Sequence, residues 1–185
     1  MDVRPGRVLI SEEEIAARVA ELGRWIRRDY AGRAPLLVSI LKGAVVFTAD
    51  LIRAIPPPLT LDFMGLSSYG SAPRSSGVVR LTSDLSMSIE GRDVIVVEDI
   101  IDTGRTASYL RRNLATRHPR SLALCALLDK VARREVEVQV DYVGFMIPDE
   151  FVVGYGLDHD GQYRYLRDIA VLEGGPAGGG HPGVG

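Results

Sequence analysis

Apolar residues recur at Ile15, Val19, Leu22 and Ile26, the spacing of one helix face. Ser11 precedes that run with Glu14 three residues on, a capping-box pair, so the pattern predicts an amphipathic helix over residues 11 to 30. The period then changes. Leu36 to Leu41 reads as a buried strand, followed by Lys42-Gly43 and a helix through about Ala54 that Pro56-Pro57-Pro58 ends. Leu59 to Met64, Val78 to Thr82, the run through Val94–Val97, and Ser121 to Leu128 read as further strands. A helix is predicted after Thr106, with Leu110 and Leu114 one turn apart. Ser, Gly and Pro fill most of residues 65 to 77, which read as a mobile loop. This alternation predicts an α/β fold, a doubly wound and mostly parallel sheet with flanking helices. After Val140 the texture shifts to short strand-like pieces with turns at Pro148-Asp149 and Asp160-Gly161. From Gly174 onward Gly, Pro and Ala dominate, so residues 174–185 read as a disordered tail.

One stretch concentrates the chemistry: Val94-Ile95-Val96-Val97-Glu98-Asp99-Ile100-Ile101-Asp102-Thr103-Gly104-Arg105-Thr106. Four β-branched residues end a strand covered on both faces, two carboxylates follow, and a small-residue turn opens a helix. Such a passage aims free backbone N–H groups and the positive end of a helix dipole at one spot, which suits a phosphate. Glu98 and Asp99 lie beside it, suited to sugar hydroxyls or to a hydrated Mg²⁺. Together these groups describe a pocket for a phosphorylated sugar. Other phosphate motifs are excluded. No Gly-x-Gly-x-x-Gly follows a strand, and Gly65 to Ser71 has P-loop spacing without the lysine.

Composition narrows the class. A chain of 185 residues, 46% apolar and 25% charged, reads as one domain able to bury its own core. No apolar run reaches membrane-spanning length, and Asp2, Arg4 and Pro5 replace an apolar signal region. The single cysteine, Cys125, reads as core filler, and the cytoplasm is the expected compartment. A net charge of −2 argues against a general nucleic-acid binder. His118, His159 and His181 are scattered, which argues against a histidine-bound transition metal.

The central stretch closely resembles the phosphoribosyl-pyrophosphate motif of the type I phosphoribosyltransferases. Leu41-Lys42-Gly43, Ser67-Ser68-Tyr69-Gly70, Asp129-Lys130, Arg133-Arg134 and the run from Val143 to Asp158 resemble the hypoxanthine-guanine branch, in order and at its spacing. The resemblance spans about Ile10 to Leu172. It implies one phosphoribosyltransferase domain over residues 1–173, with a core of about 30–140. A small hood is expected from the N-terminal segment and about 141–173. The implied activity is Mg²⁺-dependent transfer of a phosphoribosyl group from phosphoribosyl pyrophosphate to hypoxanthine or guanine, in a homodimer or homotetramer.

Residue by residue, the resemblance implies that Asp102, Thr103, Gly104, Arg105 and Thr106 hold the 5′-phosphate. Glu98 and Asp99 would hold the ribose hydroxyls and the metal. Asp102 is also the implied general base at purine N7, and it can cap the following turn as well. Lys42, Gly43, Arg134 and Arg164 would contact pyrophosphate, with Leu41-Lys42 able to form a cis peptide. Ser68 and Tyr69 match a lid that keeps water from the activated sugar. Lys130 would donate to the 6-oxo group, since an ammonium only donates and adenine offers an amino group there. Phe151 would stack on the base, the Val152 backbone would read its far edge, and Asp158 would contribute to a second Mg²⁺ shell. Two other readings stay open. A relative could act on xanthine or a pyrimidine, and an RNA-binding regulator could keep the sugar-phosphate pocket.

Overall fold

In the computed structural model, which describes residues 3–68 and 79–174, the predicted capping box is present. The Glu14 amide donates to Ser11 Oγ at 3.3 Å, and the Ser11 amide donates to Glu14 Oε2 at 2.8 Å. Helix α1 (Glu12–Asp29) buries Ile15, Val19, Leu22 and Ile26 on one face. Gly23 shares that face because α2 (Val45–Ala54) presses on it: a Cβ there would lie 2.6 Å from the Ala54 carbonyl oxygen.

Before and between these helices run β1 (Arg4–Ile10), β2 (Leu36–Leu41) and, after α2, β3 (Thr60–Ser68) and β4 (Val79–Ser83). Then come β5 (Asp93–Ile101), α3 (Arg105–Ala115) and β6 (Ser121–Asp129), a 3₁₀ turn at Val131–Arg133, β7 (Tyr142–Met146), β8 (Val152–Val153) and β9 (Ile169–Glu173). The larger sheet has the order β4-β3-β2-β5-β6-β7, parallel throughout except for β4 against β3. Because side chains alternate across a strand, each apolar run feeds two cores. Leu37, Ile95, Val97, Cys125 and Leu127 pack with α1 and α2. Leu36, Val38, Val94, Val96, Leu124 and Ala126 pack with Leu110 and Leu114 of α3. Ser39 falls on the α2 side, where it accepts a hydrogen bond from Thr48 Oγ1 at 2.8 Å.

From β2 the chain leaves through α2 toward one edge, and from β5 it leaves through α3 toward the other. The carboxyl ends of β2 and β5 therefore face a crevice at the point where strand order reverses, where ligands of such sheets bind. A second sheet, β1-β9-β8, is antiparallel. It docks through Tyr155, whose hydroxyl donates to Asp50 Oδ2 on α2 at 2.5 Å.

Three elements differ from expectation. Residues 65–68, read as the start of a loop, extend β3, because β4 pairs with them and supplies the hydrogen bonds that a Gly/Ser-rich segment does not advertise. Tyr142–Met146, expected within the hood at about 141–173, instead pairs with β6 and completes the larger sheet, because its backbone extends the parallel ladder. The N-terminal segment contributes β1, for which the sequence pattern gave no element. The rest of the predicted loop, and the tail beyond Gly174, lie outside the described residues. Among the described residues, no helix is long and apolar enough to cross a membrane.

Candidate active site

The acidic pair sits near the end of β5, a strand buried at every position but Ile100. Glu98 is 2% exposed and Asp99 8%. Burial, and next the Asp99 carboxylate, hold the Glu98 carboxyl well above the usual range. Asp99 Oδ1 accepts from the Ile100 amide at 2.7 Å, while its other oxygen faces Gly43. A Cβ on Gly43 would stand 1.6 Å from Asp99 Oδ2, so glycine is what lets the turn after β2 touch β5. The Leu41–Lys42 peptide is cis, in keeping with the resemblance, and Lys42 is exposed.

Gly104 turns the chain into α3. Its φ of +83° favours glycine, and a Cβ there would lie 2.3 Å from the Val136 carbonyl oxygen. As the N-cap of α3 it offers no side chain to the first helical amides, which are the donors an anion can use. The turn is strapped from behind: the Glu135 and Val136 amides donate to the Thr103 carbonyl at 2.9 and 3.0 Å. The Arg105 amide donates to Thr103 Oγ1 at 3.4 Å. The Arg105 side chain turns outward to Glu135 at 2.6 Å, and Thr106 is half-buried in the first turn of α3. Arg134 lies against this turn, its guanidinium paired with Asp129 and its Cδ within 2.9 Å of where a Gly104 Cβ would be. Burial raises the Asp129 carboxyl, and the Arg134 charge opposes the rise.

Lys130 follows β6 and is 0% exposed. Its amide donates to the Ile101 carbonyl at 2.9 Å, clamping the ends of β5 and β6 together. Burial lowers the ammonium, against the pull of the Asp102 and Asp149 carboxylates. Asp102 accepts from Arg133 Nε at 2.9 Å. Phe151 is buried, with the His159 ring edge-on at 5.4 Å, and Val152 begins β8 opposite Val171.

On the second-sheet side, Arg164 donates to the Gly156 carbonyl at 2.6 Å and pairs with Asp158 at 2.7 Å. Gly156, φ +99°, backs directly onto Gly43: a Cβ there would lie 2.3 Å from the Gly43 carbonyl oxygen. Arg164 and Asp158 thus connect to the Lys42-Gly43 turn through one glycine contact. Ser68 ends β3, and Tyr69 lies outside the described residues.

Among the described residues no three His, Cys, Asp or Glu side chains form a metal cage. Mg²⁺ does not demand one, since it keeps waters and takes one or two carboxylates together with substrate phosphates. The Asp99 carboxylate, facing the close-packed Gly43, with Glu98 the preceding residue of β5, fits an ion of that kind. A separate cavity of about 290 Å³ beside Tyr30 and Pro56–Pro58 is lined by none of these residues.

Several contacts had no sequence signal strong enough to assign them: Arg133 with Asp102, Arg134 with Asp129, and Gly156 with Gly43. The Arg133-Arg134 pair and the Gly154-Tyr155-Gly156 triplet were visible, but not what they touch.

A family model described as "Phosphoribosyl transferase domain" matches residues 9–160. A hypoxanthine-guanine phosphoribosyltransferase from Mycobacterium avium is 54% identical over 172 residues, covering 90% of this chain and 85% of its own. A hypoxanthine phosphoribosyltransferase from Salmonella typhimurium is 52% identical over 167 residues, covering 89% of this chain and 94% of its own. The crystal structure of a hypoxanthine-guanine phosphoribosyltransferase from Bacillus anthracis superposes with a TM-score of 0.87 at 44% identity, covering 92% of this chain and 99% of that one. With the reversal-point crevice, the acidic pair and the glycine turn into α3 already in place, these matches settle the relationship: the chain belongs to the phosphoribosyltransferase family, in its hypoxanthine-guanine branch.

Proposed function

We propose that this protein is a purine salvage enzyme that transfers the 5-phosphoribosyl group from phosphoribosyl pyrophosphate to hypoxanthine or guanine, giving IMP or GMP and pyrophosphate. The observation that carries the reading is the meeting of the turn after β2 with the carboxyl-terminal part of β5. Gly43 abuts Asp99 there, and the uncapped start of α3 follows within a few residues. That arrangement offers backbone donors for a phosphate beside carboxylates for a sugar.

In this reading the Asp102–Thr106 turn holds the 5′-phosphate, through amides that α3 leaves without helical partners. Glu98 and Asp99 hold the ribose hydroxyls and, with Asp158, the Mg²⁺ shells. The ion would neutralise charge building on the departing pyrophosphate. Lys42, the Gly43 amide, Arg134 and Arg164 add positive character for the same leaving group. Lys130 donates to the 6-oxo group from a dry site, where an unmatched donor is most costly. Phe151 stacks on the base and Val152 reads its far edge. As the bond from the sugar to pyrophosphate breaks and the bond to the base nitrogen forms, Asp102 accepts the proton from purine N7. Ser68 and Tyr69 shield the reacting carbon from water.

Residues 1–173 work as one domain in this reading, with the three-stranded sheet as the hood. The resemblance also supports a homodimer or homotetramer and a cytoplasmic setting. The test is a panel of free bases with phosphoribosyl pyrophosphate, assayed for nucleotide, with Asp102→Asn alongside. Nucleotide from hypoxanthine or guanine is expected. In D102N, turnover should fall far more than phosphoribosyl-pyrophosphate binding. Equal turnover in the variant, or product only from adenine or pyrimidines, overturns the reading.

A further inference from the structure

Arg133 is the residue on which two walls of the site converge. Its Nε donates to Asp102 Oδ1 at 2.9 Å, and its Nη1 lies 3.7 Å from Asp149 Oδ2. The side chain is 28% exposed and Asp102 only 15%, so the shorter contact is well shielded from solvent and keeps much of its strength. The backbone prepares this reach. The Arg133 amide donates to the Lys130 carbonyl at 3.1 Å, closing a 3₁₀ turn that starts beside the buried lysine. Asp149 lies in the Pro148–Glu150 turn, closed by the Glu150 amide on the Pro148 carbonyl at 2.8 Å. Phe151 and Val152 follow that turn directly.

We propose that Arg133 is a positioning residue that orients Asp102 for the proton it accepts and, through Asp149, ties that carboxylate to the turn carrying the base-stacking wall. The inference rests on the reading of Asp102 given above. Arginine suits the position because a planar guanidinium presents donors on separate edges, one toward each carboxylate. Lysine, with a point-like ammonium, could serve only one of them. Arg134, the next residue, points its guanidinium at Asp129 instead, so the two neighbouring arginines are not interchangeable.

The experiment compares the full-length wild type, Arg133→Gln, Asp102→Asn and the double variant, each first checked for folding by thermal melting. Steady-state nucleotide formation from hypoxanthine is then measured. Loss of a hydrogen bond to a charged group predicts about a tenfold or greater fall in kcat for R133Q. The KM for phosphoribosyl pyrophosphate should stay within about twofold. The double variant should be no slower than D102N, because Arg133 acts through Asp102. If R133Q does not fold, Arg133→Lys carries the same comparison, since it keeps the charge but loses one of the two contacts. The inference is overturned if kcat of the Arg133 variant stays within about twofold of wild type, or if the substitution slows D102N by the same factor as it slows wild type. If D102N itself turns over like wild type, the reading of Asp102 fails and takes this inference with it.

Discussion

Gly43 and Asp99 leave no room for a side chain between them: a Cβ on Gly43 would stand 1.6 Å from Asp99 Oδ2. An alanine there must push the carboxylate aside, and Asp99 is tied at its other oxygen to the Ile100 amide. Overpacking of this kind costs about 1–3 kcal/mol, and here it falls on the orientation of one functional group. Gly43→Ala is therefore expected to lower kcat/KM for phosphoribosyl pyrophosphate by about tenfold or more, together with a modest fall in melting temperature. Unchanged kcat/KM would mean that the contact does not set the geometry of the acidic pair.

Glu98 gives a pH-dependent signature. Its carboxyl is raised by burial first and by Asp99 second, so the fold favours the neutral form. The stability that this group contributes is complete below the ordinary glutamate range, about 4.3. It is lost as pH rises through the raised value in the folded protein. Glu98→Gln mimics the neutral acid. Its melting temperature should match wild type at acidic pH and exceed it toward neutral pH, while nucleotide formation falls. Parallel melting curves across that range would contradict the assignment.

In the proposed reading, Lys130 governs which purine is accepted. The side chain is fully buried, so replacing it removes a donor that water cannot replace without entering the site. Lys130→Ala should reduce the ratio of kcat/KM for hypoxanthine over adenine by at least about tenfold. Competition assays with hypoxanthine, guanine and adenine measure this directly, and an unaltered ratio would remove Lys130 from base recognition.

Asp93 lies at the opposite end of β5 and concerns stability alone. The Arg120 guanidinium, then the Ser121 hydroxyl and the Arg33 charge, hold its carboxyl down at about 2. A depressed folded value contributes stability that is present above the usual aspartate range, about 3.9, and lost as pH falls toward about 2. Asp93→Asn should melt earlier than wild type at neutral pH, and the gap should narrow through that acid window. Activity at saturating substrates should be unaffected.

Local chemistry made much of this architecture legible. The Ser11–Glu14 capping box set the start of α1, and predominantly apolar runs set β2, β5 and β6 because parallel strands are buried on both faces. The same run contained Glu98, Asp99 and the turn through Thr106, so the centre of the proposed site lies in one short segment. Gly65–Ser68 was not legible as strand, because its pairing depends on β4 and the local residues favour turns. Tyr142–Met146 reads from sequence as part of the hood rather than of the larger sheet, because nothing in its own pattern tells which sheet it joins.

The sequence by itself determined the strand and helix alternation, the glycine turn that opens α3 and the carboxylates beside it. These follow from hydrogen bonding and apolar periodicity among neighbours in the chain. Only the tertiary structure decided that Gly43 meets Asp99, that Gly156 backs onto Gly43, that Tyr155 anchors to Asp50 and that Arg133 rather than Arg134 reaches Asp102. Asp50 and Tyr155 are 105 positions apart. Contacts of that range are set by strand order and sheet packing, which bring distant loops to one crevice, and no local spacing in the chain encodes them.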